Sequence, residues 1–157
     1  MNILVLCTGN SARSILLEAI LSQRSNGRIT AYSAGSKPAG AVHPQSLVLL
    51  EKLGYKTADF RSKSWDEFGH ATSPVMDAVI TVCGSAAGEQ CPMWPGVPVR
   101  AHWGVEDPAA ATPSEQVEAF QTAYQRLNAR AEALIDLPFE TMTADDLLAA
   151  LKRIGTL

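Results

Sequence analysis

Cys7, Thr8, Gly9, Asn10, Ser11, Ala12 and Arg13 stand between an apolar run, Ile3 to Leu6, and a helix-like stretch, Ile15 to Leu21. A cysteine at a strand end, five small or polar residues and an arginine opening a helix can cradle a tetrahedral oxyanion. Backbone N–H groups of such a loop can turn inward, and a helix N-terminus adds positive potential. The Arg13 guanidinium offers a planar fork of donors to two anion oxygens. At the base of the cradle that positive field favours thiolate over thiol at Cys7. A thiolate facing a bound anion is a nucleophile with its substrate in place. Ser14 follows directly, and its hydroxyl can donate to the Cys7 sulfur. The loop lacks the Gly-x4-Gly-Lys-Ser/Thr pattern of a nucleotide-binding P-loop.

A second pair of cysteines, Cys83 and Cys91, brackets a loop of small residues with two glycines, Gly84 and Gly88. Fully extended, the eight steps between them would span roughly 26–29 Å. A disulfide needs Cα atoms about 5.5–6 Å apart, so the loop must fold back to join them. Two readings stand side by side: a redox pair acting on Cys7, and two small hydrophobic residues bordering a proline-rich loop. A nucleophile expected on the same rim favours redox. The three cysteines match no zinc spacing.

The chemistry also wants an acid to protonate a leaving oxygen. Asp107 stands before Pro108, which restricts it to extended backbone and fixes its direction. Glu106 is the competing choice, and a plain turn is the structural alternative. His43, His70 and His102 read as loop, helix-end or rim residues. Trp65, Trp94 and Trp103 read as packing residues, with Trp94 and Trp103 also candidates for a pocket wall. Glu18 lies in an apolar helix, either facing solvent or buried with a cation or Asn10.

The elements that must position these groups follow from pattern. Strands are expected at 2–6, 28–33, 77–82 and 98–103. Helices are expected at 14–23, at 44–53 with Pro44 in its first turn and Gly54 as its stop, and at 114–136. The last carries Val117, Phe120, Tyr124, Leu127, Ala131 and Leu134 at helical spacing. Thr143 with Asp146 reads as a capping box before Leu147 to Ile154. Alternating strands and helices predict an α/β fold with a parallel sheet covered on both faces. Ligands then bind beyond the carboxyl ends of the strands, which brings Cys7, Cys83 and Asp107 to one rim.

The chain has 157 residues, 46% hydrophobic and 18% charged, with net charge −3. That fits one globular domain, 1–157, with 139–157 as a C-terminal helical extension. Mixed charge argues against a nucleic-acid surface, and the apolar runs are too short to span a bilayer. A strand beginning at Asn2 leaves no room for a signal peptide, so a cytoplasmic location is expected.

Four segments, VLCTGNSARS, YSAG, VCGSAAGEQCP and AHWGVEDPAA, resemble arsenate reductases of the low-molecular-weight tyrosine phosphatase-like family. The resemblance runs to about Pro138. It implies a three-layer αβα fold around a central four-stranded parallel sheet, and reduction of arsenate to arsenite. Cys7 is then the nucleophile, and Thr8 to Ala12, Arg13 and Ser14 hold the oxyanion. Asp107 is the acid, and Cys83 and Cys91 form the disulfide relay. No tightly bound cofactor is implied; thioredoxin, glutaredoxin or a small thiol supplies electrons, and phosphate or sulfate competes with arsenate. A monomer or weak dimer is expected. Some members hold potassium through positions matching Asn10, Glu18 and Ser33, while Trp65 stands where a fourth ligand, an aspartate, is expected. The Cys83–Cys91 loop is one residue longer than in thioredoxin-coupled members. Two other readings use the same cradle: a protein tyrosine phosphatase, and a non-catalytic oxyanion-binding or redox-sensing module. Ala109, Ala110 and Ala111 after Asp107-Pro108 replace the aromatic residues with which phosphatases of this family grip phosphotyrosine.

Overall fold

A computed structural model of the chain describes residues 1–84, 94, 96 and 98–157. The sequence expectations for Cys91 and for most of the loop before it lie outside the described residues. Four strands, β1 (Asn2–Cys7), β2 (Thr30–Gly35), β3 (Ala78–Thr81) and β4 (Val99–His102), form one sheet in the order β2-β1-β3-β4. Every pairing is parallel. β1 is central, and Ile3, Leu4, Val5 and Leu6 are essentially fully buried, as a strand covered on both faces requires.

The main helices are α1 (Arg13–Arg24), α2 (Pro44–Lys52), α3 (Gln116–Ile135) and α4 (Ala144–Ile154). α1 packs on β1 and β2, α3 on α1 and α2, and α4 on β4 and α3. Together they give the expected three-layer α/β fold. Among the described residues, no helix is long and apolar enough to cross a membrane.

Local chemistry sets the element ends. His43 caps α2, its Nδ1 accepting from Gln45 N at 3.1 Å, and Pro44 follows. Thr143 Oγ1 accepts from Asp146 N at 3.1 Å, which is the Thr143 half of the expected capping box. β2 begins at Thr30, two residues later than the composition predicts. Asn26 and Gly27 both take positive φ, and Arg28 N closes that turn on Ser25 O at 3.2 Å, so Arg28 is still in the turn. The α3 stripe holds from Phe120 onward, but Val117 is exposed, because the first turn of α3 projects past the core. Trp103 is fully buried with its indole N–H on Leu151 O at 2.9 Å, so it packs under α4 and walls no pocket.

Candidate active site

The sheet aligns three chain segments at its carboxyl rim. Val82 N donates to Leu6 O at 3.0 Å, and Val105 N donates to Val82 O at 3.2 Å. Cys7, Cys83 and the segment leading to Asp107 therefore leave neighbouring strands side by side.

The loop after β1 is held from outside by its carbonyls. Thr8 O accepts from Lys37 N at 3.0 Å, Gly9 O from Ala39 N at 2.9 Å, and Ser11 O from His43 N at 3.0 Å. Ser62 Oγ adds a bond to Gly9 O at 3.0 Å and Ser46 Oγ one to Ser11 O at 2.9 Å. A trans peptide points its N–H opposite its carbonyl. Outward carbonyls at Thr8, Gly9 and Ser11 thus turn the N–H groups of Gly9, Asn10 and Ala12 inward. α1 begins at once, with no side-chain cap and no acid in its first turn, so its N-terminal field is left to an anion.

Asn10 fixes the shape of the loop. Its φ is 47°, a left-handed conformation that asparagine tolerates. Wholly buried, it donates from Nδ2 to Ser14 Oγ and to Ser33 Oγ, both at 2.9 Å, and accepts from Lys63 N at 2.9 Å. Ser14 Oγ, accepting from Asn10, keeps its own hydrogen for a further acceptor. Gly35 lies directly beneath the loop, where a Cβ would overlap the Thr8 carbonyl. That close approach explains the glycine of the YSAG segment.

Ser33 passes the network on by donating to Glu18 Oε1 at 3.0 Å. Glu18 is buried, so the solvent-facing alternative does not hold. Its cation is Lys63, whose Nζ lies 3.8 Å from Glu18 Oε1. Burial pushes the Glu18 carboxyl above its ordinary range, and Lys63 and Ser33 pull it partly back. Burial likewise pushes the Lys63 ammonium down. Sequence reading missed Lys63, although a carboxylate inside an apolar helix is itself a reason to look for a buried cation.

Arg13 bridges the two functional loops. Its Nη1 donates to Val105 O at 3.0 Å, and its Nη2 lies 3.7 Å from Asp107 Oδ2. Its Nε is buried and has no hydrogen-bond partner among the described residues. A bound oxyanion would satisfy that donor. Asp107 is 44% exposed and accepts from Ala109 N at 3.0 Å through Oδ1, capping the short 3-10 turn at Pro108–Ala110. The turn reading of Asp107 describes this cap, and the approach to Arg13 puts its carboxylate beside the loop that opens α1. His102 is exposed and hydrogen-bonded to Thr81 Oγ1 at 2.7 Å, outside this constellation.

Cys7 and Cys83 are both buried free cysteines, close enough for Cys83 to act directly on the Cys7 thiol. Thr8 Oγ1 lies 3.5 Å from Cys83 Sγ. The Cys83 hydrogen bond and burial push the Cys7 thiol well above its ordinary value, against the pull of Arg13. The positive field alone predicts a thiolate at Cys7, and a second sulfur beside it reverses that direction. Two sulfurs this close disfavour a charge on both, so Cys83 works against ionisation of Cys7.

A family model of low molecular weight phosphotyrosine protein phosphatases matches residues 2–147. An arsenate reductase of Bacillus subtilis (strain 168) is 35% identical over 111 residues, covering 71% of this chain and 76% of that protein. Among solved structures, an arsenate reductase in the phosphate binding state superposes with a TM-score of 0.68 at 27% identity, covering 85% of this chain and 95% of that one. The Corynebacterium glutamicum thioredoxin-dependent arsenate reductase gives 0.64 at 28% identity, covering 85% of this chain and 59% of that one. The chain belongs to the low molecular weight phosphotyrosine protein phosphatase family, in which it is similar to the arsenate reductases.

Proposed function

We propose that this protein is an arsenate reductase working through Cys7, Cys83 and Cys91. The observation that carries the reading is a second buried free cysteine, Cys83, beside Cys7, with its sulfur 3.5 Å from Thr8 Oγ1 of the anion loop. A phosphatase needs only the first of them.

The inward N–H groups and Arg13 bind arsenate, and the Cys7 sulfur attacks arsenic. A hydroxide leaves as water, with its proton from Asp107. The Cys83 thiolate then attacks the Cys7 sulfur. The S–S bond forms, the S–As bond breaks, and its electron pair stays on arsenic, so As(V) becomes As(III) and arsenite departs. The two thiols supply the two electrons. Cys91 attacks Cys83, releases Cys7 and leaves a Cys83–Cys91 disulfide for an external dithiol to reduce. A reductant of the thioredoxin type fits the thioredoxin-dependent neighbour; glutaredoxin with a small thiol is the other donor to try.

The residues do not suit the potassium ion that the sequence resemblance implies. Lys63 brings its own ammonium to Glu18, Asn10 Oδ1 accepts from Lys63 N, and the Trp65 side chain has no oxygen to offer where a carboxylate is expected. No step is routed through a metal.

The test is NADPH consumption on adding arsenate to the protein with thioredoxin and thioredoxin reductase, repeated with glutathione and glutaredoxin. Arsenate-dependent consumption that vanishes in Cys83→Ala is expected. Silence with both donors, beside brisk aryl-phosphate hydrolysis, would make the protein a phosphatase.

A further inference from the structure

The segment from Phe139 onward contributes no group to the rim, yet its end reaches the strand that delivers Asp107. α4 lies on β4. The buried Trp103, next after β4, donates its indole N–H to Leu151 O in α4 at 2.9 Å. Gly155 meets the same place, where a Cβ would come within 2.6 Å of His102 O and 3.0 Å of Trp103 Cδ1.

Arg130, on α3, closes the connection. Its Nη1 donates to Gly104 O at 3.1 Å and its Nη2 to Leu157 O at 3.0 Å. The residue is only 4% exposed. An apolar side chain would fill that space more cheaply than a desolvated guanidinium, so a stability role alone explains it poorly.

Gly104 opens the loop to Asp107, and that loop is held at consecutive backbone atoms. Arg130 takes Gly104 O, Val82 O takes Val105 N at 3.2 Å, and Arg13 takes Val105 O at 3.0 Å. The second and third contacts come from the site itself. The first comes from α3 and ties the loop to the end of the C-terminal segment.

We propose that the C-terminal helix braces the acid loop, with Arg130 spanning Gly104 and Leu157 and Trp103 anchored on Leu151, so that Asp107 is presented to the leaving oxygen. Arg130 and Trp103 are positioning residues: they touch no reacting atom and act through the backbone that carries Asp107. The inference rests on the reading of Asp107 as the acid for arsenate. Small displacements of a catalytic group are expensive in rate, on the order of a hundredfold per ångström.

The test is single-turnover loss of the Cys7 thiol at saturating arsenate, using the full chain and following thermal stability in parallel. Arg130→Lys keeps the charge but loses the fork, so one carbonyl is released. Trp103→Phe keeps the ring and loses the N–H. Each should slow the reaction about tenfold while the half-saturating arsenate concentration moves less than about twofold, since the cradle is untouched. Each is then combined with Asp107→Asn. A brace acting through Asp107 adds no further loss in that background. An equal further loss there, or no loss in either single variant, overturns the proposal. If wild-type Cys7 is not consumed by arsenate at all, the reductase reading fails. If Asp107→Asn reacts at the wild-type rate, the acid assignment fails and the brace with it.

Discussion

Lys63 Nζ faces Glu18 Oε1 at 3.8 Å, with only 8% and 11% of the two side chains exposed. Through Ser33 and Asn10 this pair reaches the tip of the anion loop. Lys63→Met leaves a buried carboxylate without its cation and is expected to cost about 3 kcal/mol at neutral pH. The double variant Glu18→Gln/Lys63→Met should recover most of that in urea denaturation. The Glu18 carboxyl is raised above 4.5 by burial. A raised acid binds more protons when folded, so its contribution is full below pH 4.5 and is lost as pH rises through the raised value. Melting temperatures between pH 4.5 and 7 should therefore shift in favour of the double variant as pH increases. The Lys63 ammonium starts from 10.5, and its opposite shift acts at the alkaline end. A gap that stays constant with pH would mean that Glu18 does not titrate in this window.

The Cys83 hydrogen bond is the largest cause of the elevated Cys7 thiol, ahead of burial. Cys83→Ala removes that bond and its like charge, leaving Arg13 to act against burial alone. The Cys7 midpoint must fall, and each unit of fall raises its thiolate fraction near neutrality about tenfold. Iodoacetamide labelling of Cys7, mapped by mass spectrometry against pH, should therefore be faster in Cys83→Ala although arsenate turnover is lost. Labelling as slow as in the wild type would show that burial, not Cys83, holds the thiol protonated.

The cradle and the sheet were legible because local chemistry and burial agree there. Ile3 to Leu6 is apolar without interruption, as a two-sided strand must be, and Cys7 to Arg13 follows it directly. Strand order then brought Cys83 and Asp107 to the same rim. What the sequence hid depends on distant partners. Lys63 sits between Ser62 and Ser64 in a polar stretch that reads as solvated, and its burial is set by Glu18 and by the bond from Gly35 N to Lys63 O at 2.9 Å. Trp103 reads as a packing residue and is one, but the partner of its indole N–H, a carbonyl in α4, has no local signal in the sequence. The elevated Cys7 thiol needed the Cys83 sulfur in place, which no spacing rule states.

Asp107 and Glu106 are adjacent carboxylates, and their surroundings separate them. Asp107 faces Arg13 and is fixed by Ala109 N, while Glu106 points to solvent. Asp107→Asn should lower the turnover number for arsenate by about 10²–10⁴-fold, the range for losing a general acid. Glu106→Gln should change it by less than about threefold. Comparable losses in the two variants, measured as arsenite released under identical reductant, would mean that the loop's charge matters more than a proton delivered from one position.

On the proposed relay, Cys91 acts only after arsenite has left. Cys7–Cys83 would be the first disulfide, closing a nucleophile that must be free for the next arsenate. In Cys91→Ser nothing within the chain can attack Cys83. One arsenite per protein is expected, followed by arrest, with a Cys7–Cys83 disulfide in the peptide map. The cradle should then lose its nucleophile but keep its donors, so arsenate should no longer consume a thiol while phosphate still raises the melting temperature. Sustained turnover by Cys91→Ser would place an external thiol at the first disulfide and leave Cys91 outside the relay.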